Sequence, residues 1–245
     1  MNLEFYDVLR FITVFLFLFF SVFLFTLKKG NTLSNKLFAV FLFSKALCFS
    51  NGLFYRFKTV FISFTPHVFN VGLSFEFLLG PALFLYAKSL AYNDFKLKKI
   101  HILHLIPFIL HFIYMSFKFH VYSSSAKIDI LSRYLFTLDE YILNTLAIYL
   151  HFLIYSIAAL MVLFNYRSEL KNLFSAIEKV KLSWLEVIVS GFILIWGLSF
   201  VVFLLNIQGY EIYYPESVSL ILLFTFANVI LYKGLKQPEI FAGIR

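Results

Sequence analysis

Seven long apolar stretches, separated by short polar connections, run along the whole chain. Each stretch is long enough to cross the hydrocarbon core of a bilayer as a helix, which takes about 20 residues. The stretches are continuous rather than alternating, which favours helices over the strands of a barrel. The pattern therefore predicts an all-α integral membrane protein, a bundle of about seven transmembrane helices. The predicted spans are residues 6–27, 34–54, 67–90, 100–117, 140–165, 182–205 and 217–232.

The positive charges predict how this bundle is oriented. Alternate connections hold fourteen Lys and Arg residues on one side of the predicted bundle and six on the other. Cytoplasmic loops carry the excess of Lys and Arg in membrane proteins. The N-terminus is therefore predicted outside and the C-terminus in the cytoplasm, with residues 1–233 forming one membrane domain and residues 234–245 a cytoplasmic tail.

Composition agrees with a membrane location. Only 14% of the residues are charged, whereas soluble domains have roughly 25%, so lipid is the expected solvent. The net charge of +8 is also typical of nucleic-acid binding, but here the basic residues flank apolar stretches and are interpreted as topology signals. The single cysteine, Cys48, excludes a disulfide within the chain.

Two connections have apolar residues at helical spacing. Between the fourth and fifth spans, Ile128, Leu131, Leu135 and Leu138 predict an amphipathic helix at the outer interface, in a position where it could form a lid. Between the fifth and sixth spans, residues 170–181 predict a second amphipathic helix, on the inner leaflet.

Two charged residues lie near the middle of predicted spans. Lys45 and Glu76 would each be about 14 Å from the outer face of the hydrocarbon core, so that neighbouring helices could hold them at one level. Buried charges are costly unless they are partnered or hydrated. One interpretation is a structural ion pair or a snorkelling lysine. The other is a ligand-binding or coupling site formed by Lys45, Glu76 and Asn70.

Two prolines fall inside predicted spans. Pro81 and Pro107 each lack a backbone N–H, so each is expected to kink its helix. A kink can act as a hinge, and both prolines are therefore candidate hinges.

Three histidines share the fourth predicted span. His101, His104 and His111 are spaced by three and seven residues and could lie on one face, as a metal or haem site requires. No HExxH motif or nearby carboxylate completes a ligand set, so the prediction is no metal and no cofactor, with these histidines as the alternative. Because no catalytic constellation is found either, no catalytic residue is predicted and the chain is expected not to be an enzyme.

Four short motifs resemble a known family. They are residues 80–90 (GPALFLYAKSL), 104–108 (HLIPF), 174–185 (FSAIEKVKLSWL) and 233–241 (KGLKQPEIF). Together, in this order and spacing, they resemble the seven-transmembrane sensory region of bacterial membrane-bound AraC-family transcriptional regulators. The resemblance covers nearly the whole chain from the second span onward.

The resemblance implies a sensor or signal-transduction module in the bacterial inner membrane, which precedes a cytoplasmic helix-turn-helix domain. It implies membrane lipid, an unknown stimulus and a second copy of the chain as partners, because AraC-type outputs act as dimers. A DNA-binding domain needs on the order of 100 further residues, so this chain is expected not to bind nucleic acid directly. Whether the chain is truncated or a stand-alone relative stays open. The residues expected to carry the output are Lys233, Gly234, Lys236, Pro238 and Phe241.

A different class fits the same buried charges. In a small-solute or proton-coupled transporter, or in a channel, Lys45 and Glu76 would line the path. This class is the alternative to the sensor.

Overall fold

A computed structural model describes residues 3–28, 30–92, 94–133, 135–173, 183–210 and 216–236, and these residues form helices without any strand. The predicted all-α fold is confirmed. The helices are α1 (Phe5–Thr26), α2 (Thr32–Arg56), α3 (Lys58–Phe64), α4 (Val71–Ala91), α5 (Ile106–Met115), α6 (Ser124–Ser132), α7 (Leu138–Leu173), α8 (Ser183–Ile207) and α9 (Glu216–Lys236). Short 3₁₀ segments at Pro66–Val68 and Lys99–Leu105 precede α4 and α5, and a π-helical turn at Ser116–His120 follows α5.

Among the residues that the structure describes, six helical segments are long and apolar enough to cross a membrane, so the chain is a multi-pass membrane protein. They match the first six predicted spans and run over Phe5–Thr26, Thr32–Arg56, Pro66–Ala91, Lys99–His120, Leu138–Ser168 and Val189–Ile207. The seventh predicted span falls on α9, in which Leu220–Val229 is a shorter apolar segment.

The core of the bundle is aromatic and is centred on α2. This helix packs between α1 and α4, and α4 packs in turn against α7. The Phe38 ring stacks on Tyr86 of α4 with centroids 4.6 Å apart, and Phe41 meets the edge of Phe192 of α8 at 5.7 Å. Phe192 also contacts Phe226 of α9 at 4.7 Å. These rings join four helices at their centre.

Two glycines let α4 approach its neighbours closely. A Cβ added at Gly72 would lie 2.3 Å from the backbone oxygen of Leu47 in α2. A Cβ added at Gly80 would lie 2.8 Å from the Cβ of Tyr155 in α7. Small residues at such crossings are typical of membrane helix packing, because association depends on close van der Waals contact.

The helices alternate between two ends of the bundle. At the first end, which we call the Arg56 end, the guanidinium of Arg56 binds Glu4 at 2.6 Å and Asp7 at 3.2 Å, and Lys118 pairs with Glu140. At the opposite end, the Lys88 end, the side-chain amide of Asn31 donates to the carbonyl of Ser89 at 3.0 Å. The Arg56 end is the one that the sequence predicts to be outside.

The first predicted amphipathic helix exists as α6, although a different face is buried. Leu131 packs with Phe69, Met115 and Phe119, as expected, but Ile128 is 41% exposed. Leu138 starts α7 and is 74% exposed. The second predicted amphipathic helix lies largely outside the described residues, since α7 is followed only to Leu173.

Lys127 is buried on α6, although the apolar pattern predicted that it would be exposed. Its ammonium donates to Nδ1 of His67 at 2.6 Å and to the carbonyl of His120 at 2.7 Å, and it lies over the Phe119 ring. Burial lowers the pKa of Lys127 from its usual value. The two hydrogen bonds offset the cost of burying this amine.

Candidate ligand cavity and the polar layer beside it

A cavity of about 370 Å³ opens near the Arg56 end, between α2, α4, α7 and α8. Its wall combines five aromatic and three aliphatic side chains with five polar ones, and a largely apolar wall that carries some polar groups is typical of small-molecule sites. The connection between α6 and α7 closes one side through Leu135 and Phe136. The segment predicted as a lid therefore contributes to the wall. The aromatic lining residues are Tyr55, Phe136, Tyr141, Tyr149 and Trp196.

Glu76 is the only charged side chain among the described residues that line this cavity. It projects from the second turn of α4, and its Oε2 is buried without a hydrogen-bond partner. A buried carboxylate oxygen without a partner costs several kcal/mol in an apolar interior, so a stable fold retains one for a reason.

Asn70 caps α4 next to Glu76 and also lines the cavity. Its backbone N–H donates to Oδ1 of Asn51 at 2.9 Å, and the Tyr55 hydroxyl donates to its side-chain oxygen at 2.9 Å. Its φ of 64° is in the left-handed region, which non-glycine residues seldom adopt but asparagine tolerates best. Its Nδ2 is buried and unpartnered, so Asn70 also offers the cavity a free donor.

Lys45 lies close to this site but does not pair with Glu76. Its ammonium is 5.2 Å from the centroid of the Trp196 ring, and the residue is 7% exposed. No ion pair joins Lys45 to Glu76 among the residues described. Cys48 of α2 lies near both charges, so the two helices hold Lys45 and Glu76 in one region.

The cavity combines a carboxylate with aromatic rings. A ligand ammonium gains from both, since the carboxylate supplies charge and the ring faces supply cation–π attraction. Lys45 does not line the cavity, so Glu76 is the charged group that an entering molecule meets first.

Polar side chains continue from the cavity into the layer between α4, α5 and α7. His111 of α5 hydrogen-bonds through Nδ1 to the Ser74 hydroxyl at 3.0 Å and through Nε2 to Oδ1 of Asn144 at 2.8 Å. Asn144 also lines the cavity. We call Ser74, His111 and Asn144 the cavity-side group.

A second set of polar side chains lies in the same layer, toward the Lys88 end. The Tyr155 hydroxyl is 2.7 Å from Nδ1 of His104, and the Tyr155 ring is 4.8 Å from the His151 ring. Both ring nitrogens of His151 are buried without a partner. We call His104, His151 and Tyr155 the far-side group.

Phe77 separates the two groups. Its ring centroid is 5.0 Å from His111 on one side and 5.2 Å from His151 on the other. Phe77 is 6% exposed, so the ring is buried where it contacts the two histidines.

The three histidines of the fourth span do not form one cluster. The rings of His101 and His104 stack at 6.0 Å, whereas His111 belongs to the cavity-side group. Within the described part of the chain, no three His, Cys, Asp or Glu residues are placed to hold a metal ion.

The candidate hinges occupy different positions. Pro81 lies inside α4, where it cannot supply an N–H to the carbonyl of Phe77. Pro107 lies in the first turn of α5, after the 3₁₀ segment, where a missing N–H breaks no helical hydrogen bond. Pro81 thus fits a hinge and Pro107 a helix start. Of the expected output residues, Lys233, Gly234 and Lys236 lie on the last turns of α9, and Pro238 and Phe241 fall outside the described residues.

Sequence reasoning missed most of the polar layer. Asn144, His151 and Tyr155 are separated by seven and four residues on α7, which places them on one face of an otherwise apolar helix. That spacing was available in the sequence. The partners Ser74 and Phe77 carry no comparable signal, because a serine and a phenylalanine are ordinary in such a span.

The fold and the site define a multi-pass, all-helical membrane protein with a lined cavity between its helices. The chain matches no family model, no curated protein sequence and no solved structure. The resemblance of its motifs to membrane-bound AraC-family regulators therefore stays a prediction.

Proposed function

We propose that this chain is a membrane-embedded sensor whose ligand binds beside Glu76. It is the kind of module that precedes an AraC-type DNA-binding domain, with seven spans in the bacterial inner membrane and the Arg56 end outside. The observation that carries the proposal is the unpartnered Oε2 of Glu76 in the wall of an aromatic cavity. The four motifs and the distribution of Lys and Arg support the same interpretation.

The expected ligand is an amphipathic amine. Its ammonium or N–H group would supply the missing partner of Glu76, and its apolar body would lie against the Tyr149 and Trp196 rings. A cavity of about 370 Å³ is at the small end of the range for ligand sites, which suits a molecule with a single ring or a short chain.

Signalling requires the ligand to bind two arrangements of the helices with different affinity. The cavity wall is formed by α2, α4, α7 and α8, so a ligand here can contact four helices at once. Pro81 weakens α4 one turn beyond Glu76, so that a change in the wall can alter the angle between the two halves of this helix.

A thermal-shift titration tests ligand binding. The purified chain is heated with 2-phenylethylammonium or with uncharged 2-phenylethanol. At a concentration of 100 times Kd, the amine should raise Tm by about 5 °C or more. The alcohol should have little effect, and Glu76→Gln should abolish the response to the amine. Glu4→Gln, which changes an exposed carboxylate at the same end, should leave it intact. An equal response to the amine in Glu76→Gln would exclude the site.

A fusion tests the output. A DNA-binding domain that needs dimerisation is attached after Arg245, and a reporter gene is measured in intact cells. Glu76→Gln and Lys45→Met should each change reporter output, because each alters the charge at the cavity. Reporter output unchanged in both variants, with the fusions inserted at normal levels, would count against a sensor. Accessibility tags at the two termini would test the predicted orientation separately.

A further inference from the structure

The geometry points to a gated proton pathway in the layer between α4, α5 and α7, with Phe77 as the gate between the cavity-side and far-side groups. This inference rests on a different observation from the ligand site. It would hold whether or not an amine binds beside Glu76.

The pathway covers much of the membrane. From Asn144 to Tyr155 along α7 is eleven residues, or about 16 Å of a hydrocarbon core roughly 30 Å thick. Asn144 opens into the cavity at the Arg56 end, and His104 lies among partly exposed residues toward the Lys88 end. The two polar groups together therefore connect the cavity with the opposite half of the bundle.

The side chains are of the types that relay protons. A histidine can take a proton on one ring nitrogen while it releases the proton on the other, and a tyrosine hydroxyl can accept one and donate one. Each ring then returns to its starting charge, so the net step is the movement of one proton with no redox change. Other titratable groups that border the route are Glu76 on the cavity wall, His101 beside His104, and Lys88 over the Phe84 ring.

His151 is the residue that packing alone does not explain. An imidazole with both nitrogens buried and unpartnered is costly in an apolar bundle, and an apolar side chain of similar size would avoid that cost. Ionisable groups inside a membrane are therefore candidates for ion and proton pathways.

Phe77 interrupts the route at one point. Its ring contacts both His111 and His151, the two histidines that a water molecule would have to connect. The carbonyl of Phe77 receives no helical hydrogen bond because residue 81 is proline, so α4 can bend where the gate is attached. With Phe77 moved aside, water would join the two histidines into one chain.

The test is proton flux into liposomes that contain the full chain, measured with an internal pH-sensitive dye under a potassium diffusion potential. Wild-type protein should conduct slowly. Phe77→Ala should raise flux by about tenfold or more, which corresponds to a barrier lowered by about 1.4 kcal/mol. Adding His151→Phe to Phe77→Ala should return flux to the wild-type level. Phe75→Ala is the matched control, because Phe75 contacts Phe43 and Phe108 rather than the histidines.

Each alternative result would overturn the inference. If Phe77→Ala is helical and monodisperse but conducts no better than wild type, no pathway lies behind this ring. If the double variant conducts as well as Phe77→Ala, protons take a route that does not include His151. If wild-type flux already equals that of Phe77→Ala, Phe77 is not a gate.

Discussion

The two sides of α4 face different surroundings and are stabilised in different ways. Toward α2, Leu79, Leu83 and Tyr86 are each 1% exposed, and Tyr86 stacks on Phe38. Toward α5 and α7, the same helix presents Ser74 to His111 and places Phe77 between His111 and His151. The first side is held by close apolar contact. The second side contains hydrogen bonds together with unpartnered groups.

This difference shows which parts of α4 contain groups that lower the stability of the fold. Dispersion and small residues are sufficient to join α2 to α4. Nothing about helix packing requires two unpartnered nitrogens on His151 or an unpartnered oxygen on Glu76. The Tyr86 hydroxyl on the first side is buried without a partner as well, so such atoms occur on both sides. The carboxylate of Glu76 borders the cavity and the imidazole of His151 lies in the polar layer, which makes these two places the candidates for binding and proton chemistry. The stability of the bundle is expected to be most sensitive to substitutions where α4 packs against α2.

The largest loss of stability is expected for a substitution at Gly72. In Gly72→Ala the new Cβ would meet the Leu47 carbonyl oxygen at 2.3 Å, and the backbone of α2 cannot rotate away as a side chain can. We expect the helices to separate, with a loss of stability of about 3 kcal/mol or more. Folded yield and Tm in detergent measure the loss. Gly191→Ala is the control, since nothing lies within 4 Å of a Cβ there; similar Tm values for the two variants would contradict the close packing.

The next effect is expected at Phe38. Phe38→Ala removes a ring that is 2% exposed and stacked on Tyr86, which should cost about 3–5 kcal/mol. Unfolding in a graded mixture of detergents measures the change. Phe15→Ala, at a position 65% exposed on α1, should cost little. Equal losses in the two variants would indicate that the aromatic core does not stabilise the bundle.

A smaller loss of stability is expected for a substitution in the polar layer between α4, α5 and α7. Asn144→Leu keeps the size of the side chain but leaves Nε2 of His111 without its partner, at a cost of about 1–3 kcal/mol. The same unfolding assay applies. The double variant Asn144→Leu, His111→Leu should recover part of the loss, because no imidazole nitrogen is then orphaned and only the Ser74 hydroxyl loses its partner. If the double variant is less stable than the sum of the single changes predicts, the pair is not coupled in this way.

The smallest effect is expected at the rim of the Arg56 end. Arg56→Ala breaks contacts to Glu4 and Asp7; the arginine side chain is 42% exposed, and the buried Asp7 keeps its hydrogen bond from the Glu4 backbone N–H. Exposed ion pairs contribute about 0–1 kcal/mol, and salt screens them. Tm should fall by only a few degrees, and the difference from wild type should shrink in high salt. A loss as large as that of Phe38→Ala would place the charge network, not the aromatic core, at the centre of stability.

The sequence predicted the helices well because hydrocarbon leaves so few choices. A continuous apolar stretch in lipid must satisfy its own backbone hydrogen bonds, so the first six spans agree with the observed helices to within a few residues, apart from α7, which extends to Leu173. The contacts that side chains make between different helices were harder to predict. Lys45 and Glu76 occupy one region, as their depths indicated, but Lys45 lies over Trp196 instead of pairing with Glu76. Trp196 is 151 residues away from Lys45 in sequence, and spacing within one helix gives no information about such a contact.

The buried face of α6 was predicted incorrectly for a physical reason. The prediction took apolar residues at spacings of three and four as the buried face and expected lysine to face water. Lys127 is instead 1% exposed, because His67 and the His120 carbonyl receive its hydrogen bonds. Both partners come from other segments. The polar layer was missed for the same reason, since His111 and Asn144 acquire their significance only when α5 lies against α7.

The most direct test of the difference between the two sides of α4 is the chemical accessibility of one position on each. In a Cys48→Ser background, Leu73→Cys would lie on the cavity wall and Leu83→Cys in the packed interface, where leucine is 1% exposed. Cationic and anionic methanethiosulfonate reagents are applied to cells that contain each variant. Leu73→Cys should react, and should react faster with the cationic reagent because of Glu76, whereas Leu83→Cys should react with neither. No reaction at Leu73→Cys, or equal reaction at both positions, would contradict a ligand cavity on one side of α4.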